Sequence, residues 1–272
     1  MVRAAAITKA FIGFVLWAGP ACITLAQQAD VTQPPPKITF QPWRETDRTE
    51  FYRTYEVAFP SAVTTGYPEN DRVPLKVFLP TETFGRVPVV ILLHYWGATD
   101  DRIEQDMAVH LAKQGVASVL MPLPFHLDRT PKGHASGEMA VVPDIGKLRA
   151  NTLQAVLDVR RTVDWIVSRP EFDASRIGLA GTSLGAMVSA LAYAVEPRFS
   201  VTCFLLGGVD VAHILWHSSR VVSQREDLRK QGYTEDRVRS ELKSVEPLTY
   251  LKPDDRRPSL VISAKFDTVI PP

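Results

Sequence analysis

The sequence predicts an α/β fold in which a mostly parallel central sheet is covered by helices on both faces. From about residue 50, short apolar runs alternate with longer amphipathic ones, as expected for strands joined by crossover helices. The middle runs, such as residues 89–93, are almost wholly apolar, which is typical of strands buried on both faces. With 272 residues and 45% hydrophobic composition, the chain can form one well-packed domain.

Seven strands and three helices are predicted in order along this region. The strands are expected near residues 53–59, 75–79, 88–93, 117–121, 176–180, 200–206 and 259–263. Helical spacing covers residues 102–114, 147–168 and 184–195. The second helix places its apolar side chains on one face, so Gln154, Asp158 and Arg161 are expected to face water on the other.

The first 49 residues are expected to lie outside the domain, which is predicted over residues 50–272. Residues 1–26 have the pattern of a secretion signal, with basic residues, an apolar stretch and a small-residue cleavage position at Ala26. A membrane anchor is one alternative and lipid attachment at Cys22 another, although the interrupted apolar stretch is short for a stable span. Residues 27–49 begin polar and proline-rich, which predicts a linker. The predicted location is therefore secreted or periplasmic.

Charge and cysteine content narrow the function classes. The 31 basic and 30 acidic residues give a net charge of +1, so composition makes no case for binding nucleic acid or an anionic membrane surface. Cleavage after Ala26 would leave Cys203 as the only cysteine, and an intramolecular disulfide would then be excluded. The fold is expected to depend on its hydrophobic core, with no stable membrane insertion after cleavage.

The motif that carries chemistry is Gly181-Thr182-Ser183-Leu184-Gly185. It stands directly after a predicted strand and directly before a predicted helix, the context in which G-x-S-x-G presents a nucleophilic serine at a sharp turn. The two glycines allow the strand and the helix to approach without Cβ clashes. Ser183 is therefore the candidate nucleophile.

A second motif follows the apolar strand that ends at His94. A tetrahedral intermediate needs backbone N–H donors at its developing oxyanion, each worth ~3 kcal/mol of transition-state stabilisation. Leu184, next to the nucleophile, and Trp96 or Tyr95, after His94, are the candidates for this oxyanion hole. His94 stands too early in the chain to be the base, and is expected to hold its loop through hydrogen bonds.

Asp267 is the candidate acid of a catalytic triad, because it lies in a loop directly after the last predicted strand. An aspartate there can orient an imidazole and stabilise its cation. Asp210, after the preceding strand, is the alternative acid. The third member of the triad, a histidine, is expected later in the chain than the acid.

No histidine follows Asp267. The six histidines are His94, His110, His126, His134, His213 and His217. The catalytic histidine, the last strand and its helix are therefore expected to be missing from this sequence, which would be a fragment of a longer enzyme, and loss of the base costs ~10⁶ in kcat. An upstream histidine acting as the base is the alternative.

His213 and His217 have the i,i+4 spacing of some zinc ligands. No acidic residue lies between them, and the sequence shows no obvious third ligand. We therefore expect no metal and no other cofactor.

These features together resemble the α/β-hydrolase superfamily, in particular secreted esterases similar to dienelactone hydrolases and the catalytic domains of prolyl-oligopeptidase-like enzymes. The resemblance covers roughly residues 50–272 and is most specific over residues 173–181 and in the loop of Asp267. Two departures stand out. Tyr95 replaces the usual glycine of the oxyanion loop, and Ser183 stands where dienelactone hydrolases use cysteine.

The resemblance implies a serine hydrolase that cleaves carboxylic esters of small molecules through an acyl-enzyme intermediate. A peptidase of the prolyl-oligopeptidase-like type is one alternative. A non-catalytic binding protein on the same fold is another, because the catalytic histidine is not found. The charged segment 211–243 is a possible cap over the site, or else a crossover followed by a surface helix.

Overall fold

An eight-stranded sheet forms the centre of the molecule in a computed structural model that describes residues 30–271. The strands are β1 (Arg44–Arg48), β2 (Tyr52–Pro60), β3 (Arg72–Pro80), β4 (Val87–Leu93), β5 (Ala117–Leu120), β6 (Phe172–Thr182), β7 (Phe199–Leu205) and β8 (Ser259–Ile262). Their spatial order is β1-β2-β3-β5-β4-β6-β7-β8. The signal peptide or membrane anchor predicted over residues 1–26 lies outside the described residues.

The sheet is antiparallel at one edge and parallel over the rest. β1, β2, β3 and β5 pair antiparallel in that order. β5, β4, β6, β7 and β8 pair parallel. The predicted α/β class with a mostly parallel sheet is confirmed, and the parallel part carries the continuous apolar runs seen in the sequence.

Helices cover both faces of this sheet. They are α1 (Arg102–Lys113), α2 (Ile145–Val167), α3 (Leu184–Val195), α4 (Val211–His217), α5 (Val222–Lys230), α6 (Glu235–Leu242) and α7 (Pro247–Tyr250). In β4, Leu92 packs in a cluster with Ala108 of α1, whereas Ile91 and Leu93 join the large core that contains α2 and α3. Neighbouring residues face opposite layers because side chains alternate along a strand. Among the helices within residues 30–271, none has the length and apolar composition needed to cross a membrane.

Before residue 50 the structure differs from the predicted linker. Arg44–Arg48 forms strand β1, whose side chains are all exposed and whose backbone pairs with β2. Further upstream, Val31 is buried, and the Arg160 guanidinium of α2 donates to the carbonyl oxygens of Val31 at 2.7 Å and Gln33 at 2.6 Å. Backbone pairing and buried arginine contacts hold residues 30–48 on the domain.

The prediction that one face of α2 is in contact with water is wrong. Gln154 and Asp158 are fully buried and Arg161 is 3% exposed. One Asp158 oxygen accepts from Arg129, itself fully buried, at 2.8 Å, and the other accepts from Ser61 at 2.8 Å. Partners from distant segments satisfy these polar groups, which is the condition for burying them at all.

The segment 211–243, predicted as a possible cap, consists of α4, α5 and α6, and we keep the name cap segment for it. α6 contacts both α4 and α2. At the far edge of the sheet, all four side chains of β8 are exposed. The loop that carries Asp267 follows β8, next to the cap segment, since the Ser219 N–H donates to the Thr268 carbonyl oxygen at 2.9 Å.

Candidate active site

Ser183 lies at a sharp turn between β6 and α3. Its backbone has φ 53° and ψ −111°, a conformation that costs a non-glycine residue about 1–3 kcal/mol and is concentrated at functional sites. The Ser183 N–H donates to the Leu205 carbonyl oxygen of β7 at 2.8 Å, which fixes the turn on the sheet. Ser183 is the N-cap residue of α3, but its hydroxyl makes no hydrogen bond to the backbone N–H groups of the first helical turn. The hydroxyl therefore remains free for chemistry.

Two glycines make this turn sterically possible. A Cβ on Gly185 would lie 2.5 Å from the Leu93 carbonyl oxygen and 2.6 Å from that of His94. A Cβ on Gly181 would collide with the Gly185 carbonyl. The close approach explains both glycines of the G-x-S-x-G motif and brings the start of α3 against the end of β4.

Three backbone N–H groups predicted as oxyanion donors have no hydrogen-bond acceptor in the described part of the chain. Within residues 30–271, no protein acceptor takes the backbone N–H of Leu184, Tyr95 or Trp96. Leu184 is the first residue of α3, where N–H groups have no partner within the helix and the helix dipole favours negative charge. Of these three residues, Leu184 and Trp96 line the same cavity as Ser183.

Hydrogen bonds to both ring nitrogens of His94 hold the loop that follows β4. Nδ1 donates to the Tyr95 carbonyl oxygen at 2.8 Å, and Nε2 accepts from the Leu123 N–H at 3.0 Å. Burial lowers the pKa of His94 to about 4, so the ring is neutral near pH 7. The prediction that His94 holds the loop is confirmed. Trp96 is held in turn, since its indole N–H donates to the Gly137 carbonyl oxygen at 2.8 Å.

A second buried imidazole packs against His94. The rings of His94 and His126 lie 4.8 Å apart between centroids. Burial, with a smaller contribution from the neighbouring His94, lowers the pKa of His126 to about 3. His126 donates from Nδ1 to the Pro124 carbonyl oxygen at 2.8 Å. It is a second neutral, buried group under the oxyanion loop.

A cavity of about 80 Å³ adjoins the serine, and Ser183, Leu184 and Trp96 all line it. The cap segment contributes Val211, Ile214, Leu215, Ser218, Arg220 and Val221 to its wall. The loop after Asp267 contributes Val269 and Ile270. The structure therefore brings together the predicted nucleophile and two of the three predicted oxyanion donors, while Tyr95 is not in the cavity wall.

A larger groove of about 950 Å³ lies elsewhere. It includes His94, Asp101 and Glu104 but neither Ser183 nor Leu184. The smaller cavity is the candidate site, because the activated turn and the free donors open into it.

Arg220 connects the cap segment to the oxyanion loop. Its guanidinium lies 5.0 Å from the centroid of the Trp96 ring, and Nη2 donates to the Trp96 carbonyl oxygen at 3.1 Å. This contact could not be predicted from the sequence, because Arg220 belongs to no motif and lies far along the chain from Trp96.

The two candidate acids differ in how their carboxylates are engaged. Oδ1 of Asp267 accepts from the backbone N–H groups of Val269 and Ile270 at 2.8 and 2.9 Å. Its Oδ2 has no protein partner among the described residues and is available to a further donor. Asp210 instead caps α4 and takes two hydrogen bonds of 2.7 Å from Arg239. Asp267 itself is not among the residues that line the cavity, whereas Val269 and Ile270 of the same loop are.

The histidines are engaged elsewhere. Among residues 30–271, none of the six lines the cavity and none hydrogen-bonds to the Ser183 hydroxyl. His110 contacts the Asp106 carbonyl oxygen, and His134 pairs with Glu138. His213 and His217 both lie against Glu235.

Comparison with known proteins places this site in a family. Residues 69–248 match the sequence model of the X-Pro dipeptidyl-peptidase (S15) family. The chain belongs to the S15 family. The matched range includes the Ser183 turn and the cap segment but ends before Asp267.

Solved structures show the same fold. The S15-family chain is similar to acetyl xylan esterase 1 from Thermoanaerobacterium sp. JW/SL YS485, with a TM-score of 0.66 and 18% identity, over 91% of this chain and 78% of that one. The acetyl xylan esterase from Paenibacillus sp. R4 gives 0.65 and 17%, over 90% and 85%. The Pyrococcus horikoshii acylaminoacyl peptidase gives 0.59 and 15%, over 82% and 33%. The predicted α/β-hydrolase architecture is confirmed.

Two curated relatives carry no described function. The uncharacterized proteins MT2702 and Rv2627c of Mycobacterium tuberculosis, from strains CDC 1551 / Oshkosh and ATCC 25618 / H37Rv, are each 34% identical over 135 residues. That alignment covers 47% of this chain and 30% of each relative. The chain thus matches about a third of the length of these relatives.

Proposed function

We propose that this S15-family chain is a serine hydrolase that cleaves carboxylic esters of short acids through an acyl-enzyme intermediate. The observation that carries the proposal is the Ser183 turn. Its backbone is strained, its hydroxyl makes no capping hydrogen bond, and it lines an apolar cavity together with Leu184, whose N–H has no acceptor among the described residues. Nucleophilic catalysis of acyl transfer needs this combination of an available hydroxyl and fixed donors.

In this proposal, Ser183 Oγ attacks the acyl carbon while its proton passes to an imidazole. The carbonyl oxygen becomes an oxyanion, which the N–H groups of Leu184 and Trp96 stabilise. The imidazole then protonates the leaving alcohol, and water hydrolyses the acyl-enzyme by the reverse sequence of proton transfers. The free Oδ2 of Asp267 orients the imidazole.

The cavity favours short acyl groups. Its volume of about 80 Å³ is well below the ~300–1,000 Å³ of sites for drug-sized ligands, and its walls are mainly aliphatic. Acetyl xylan esterases share the fold, which agrees with a small acyl group. We therefore propose acetyl and propionyl esters as the first substrates to test.

A peptidase is the second candidate, and the match to the X-Pro dipeptidyl-peptidase family favours it. An enzyme that binds the free amino end of a peptide needs an acceptor for an ammonium group. Among the described residues that line the cavity, the only charged side chain is Arg220, a cation. This charge favours a neutral or anionic substrate over a peptide amino terminus.

The residues before the domain support an extracytoplasmic enzyme. Residues 1–26 have the composition of a secretion signal. We propose export followed by cleavage near Ala26, and amino-terminal sequencing of the exported protein tests this. An amino terminus that retains Met1 would contradict it.

Labelling with a fluorophosphonate probe tests the hydrolase proposal. The full-length protein is compared with its Ser183→Ala variant. We expect labelling of the parent and loss of labelling in Ser183→Ala. No labelling of the parent would overturn the enzyme proposal in favour of a binding protein.

A substrate panel separates esterase from peptidase. The labelled form is assayed with p-nitrophenyl esters from acetate to octanoate and with X-Pro aminomethylcoumarin amides. We expect kcat/KM to be highest for acetate or propionate and to fall as the acyl chain lengthens. Faster cleavage of the X-Pro amides than of every ester would establish the peptidase instead.

A further inference from the structure

Three side chains of the cap segment converge on one point. His213 and His217 lie one turn apart on α4, with their rings 4.2 Å apart between centroids. Glu235, the first residue of α6, places Oε2 3.0 Å from His217 Nε2 and Oε1 3.5 Å from His213 Nδ1. One ligand atom from each residue lies within 4.8 Å of the others. This is the only such group of three or more ligating residues among residues 30–271.

We propose that His213, His217 and Glu235 form a site for a divalent transition metal, with Zn²⁺ as the preferred ion. Zinc binds histidine nitrogen and carboxylate oxygen at about 2.0–2.2 Å in tetrahedral geometry, which places neighbouring ligand atoms roughly 3.3 Å apart. The contacts of 3.0 and 3.5 Å are close to this value but involve different oxygens of Glu235, so ligation by a single oxygen requires one imidazole to shift towards it. Other pairs of ligand atoms in the group are up to 4.8 Å apart. Rotation of a histidine side chain can shorten this distance, since the side chains of His213 and His217 are 35% and 46% exposed.

The donor set selects the metal class. Two neutral imidazoles and one carboxylate suit zinc and its neighbours, whereas Mg²⁺ and Ca²⁺ prefer oxygen ligands throughout. Three protein ligands leave a fourth tetrahedral position for water. The site is therefore expected to bind Zn²⁺ and Co²⁺ and to leave Mg²⁺ in solution.

Arg239 orients the carboxylate of Glu235 through a hydrogen bond. Arg239 donates from Nη2 to Glu235 Oε1 at 3.0 Å and from Nη1 to Asp210 at 2.7 Å. Hydrogen bonds to the ligating groups of a metal site orient them and raise affinity. Asp210, which caps α4, fixes the start of the same helix. Both ends of the site are thus oriented before a metal arrives.

The site could not be recognised in the sequence because Glu235, its third ligand, is 18 residues from His217 along the chain. Sequence alone predicted no metal, since the pair His213 and His217 has no acidic residue between them. Glu235 lies near the two histidines because α6, which follows α5 in the chain, packs against α4. The structure thus supplies the third ligand that the spacing lacked.

A metal here would fix the wall of the candidate active site. Ile214 and Leu215, which lie between the two histidines on α4, both line the cavity next to Ser183. A bond from α4 to α6 through the metal would hold these side chains at a set distance from the serine. The proposed role is structural, remote from the reacting atoms.

An alternative use of the same side chains is a hydrogen-bonded ion pair without metal. Such an exposed pair contributes little to stability and shows no preference for one divalent ion over another. Metal titration separates the two possibilities.

The test is a titration of the tag-free chain after dialysis against EDTA. ZnCl₂ binding is followed by calorimetry, and CoCl₂ binding by its visible absorption, whose intensity reports tetrahedral coordination. We expect one Zn²⁺ per chain, a rise in melting temperature on binding, and no comparable binding of MgCl₂. The variants His217→Gln and Glu235→Gln are expected to bind Zn²⁺ at least tenfold more weakly.

A matched control uses another histidine–carboxylate contact, outside the cap segment. His134 lies 3.1 Å from Glu138, and the described residues place no second histidine in that ion pair. His134→Gln is expected to bind Zn²⁺ as the parent does. Absence of saturable binding with one ion per chain, or equal weakening by His134→Gln, would overturn the proposal. Labelling of Ser183 is measured separately, so this result does not depend on the hydrolase proposal.

Discussion

Gly185 shows how closely single residues are constrained at the site. A methyl group there would meet two backbone carbonyl oxygens, those of Leu93 and His94, and neither can move without shifting β4. We expect Gly185→Ala to lower the free energy of unfolding by about 1–3 kcal/mol and to slow fluorophosphonate labelling, because the turn and the oxyanion loop separate. Urea denaturation and labelling rates measure both effects.

Gly146 provides the control for that change. It lies in the first turn of α2 with a negative φ, and an added Cβ would meet only the Asp144 side chain, at 3.3 Å. Gly146→Ala should leave the labelling rate unchanged and stability within about 0.5 kcal/mol. Equal effects of the two substitutions would contradict the steric argument.

The buried pair His94 and His126 makes stability depend on pH. Both pKa values are depressed in the folded protein, to about 4 and about 3, while an unfolded histidine titrates near 6.5. The unfolded chain therefore binds more protons below pH 6.5, and stability falls as pH decreases from 6.5 towards these values. Each group adds a slope of up to about 1.4 kcal/mol per pH unit.

Substitution isolates one of the two histidines. His126→Asn retains a side-chain donor for the Pro124 carbonyl oxygen but does not titrate. Urea denaturation between pH 4.5 and 7.5 should show a slope shallower by about one proton than in the parent. An unchanged slope would mean that His126 does not titrate differently in the folded and unfolded states.

At the scale of elements, hydrophobic pattern determined which strands were predictable. β4 and β7 carry apolar runs, and their predicted positions differ from the observed ones by a single residue at an end. β1 was missed because Arg44–Arg48 contains only polar side chains and is ordered by pairing with β2, a partner that local sequence does not reveal. The helices α1 and α3 were predicted because their apolar residues recur at helical spacing, which is also a property of the local sequence.

A local motif also predicted the turn that carries the candidate nucleophile. The positions of Ser183 and Leu184 depend only on the turn between β6 and α3, which G-x-S-x-G indicates. Arg220 and Glu235 depend on how the helices of the cap segment pack, and their sequence neighbourhood is that of an ordinary charged surface. Contacts between elements that are far apart in the chain cannot be predicted from local sequence patterns.

The contact between Arg220 and Trp96 joins two elements, and its removal has a testable effect. Arg220→Ala should slow labelling of Ser183 by about tenfold, equivalent to about 1.4 kcal/mol, because the loop that carries the Trp96 N–H loses its support. The free energy of unfolding should change by less than about 0.5 kcal/mol, since Arg220 is exposed.

Arg229 is the matched control, because its guanidinium lies 5.2 Å from the Trp216 ring centroid on the same cap segment. Arg229→Ala should leave labelling unchanged. A similar loss in both variants would assign the effect to general loosening of the cap segment.

Across the whole molecule, the buried pair Arg129–Asp158 joins α2 to the segment after β5 and to Ser61 beyond β2. Asp158→Asn should lower the free energy of unfolding by about 3–5 kcal/mol, because it leaves the buried Arg129 charge unpaired. Urea denaturation measures the loss. The double variant Arg129→Met, Asp158→Leu should recover part of it, since no charge is then buried alone.

The control is an exposed pair of similar length. Asp227 and Lys230 on α5 lie 2.9 Å apart, and both side chains are about half or more exposed. Asp227→Asn should change stability by less than about 1 kcal/mol. If Asp158→Asn were as mild, the buried network would not be a major source of stability.

This network also explains the error about α2. Charged residues on one helical face normally indicate water, and the partners that reverse this inference lie about 30 residues or more away along the chain. Whether such a helical face is exposed or buried depends on which other segments of the chain pack against it.

The backbone of Ser183 has a consequence for the evolution and engineering of this chain. Its positive φ would suit glycine better than serine, so the position that carries the proposed nucleophile is not the position of greatest stability. Selection for heat resistance alone would favour chains that have lost the hydroxyl. A screen that ranks variants only by how well they fold would then discard the residue on which the chemistry depends.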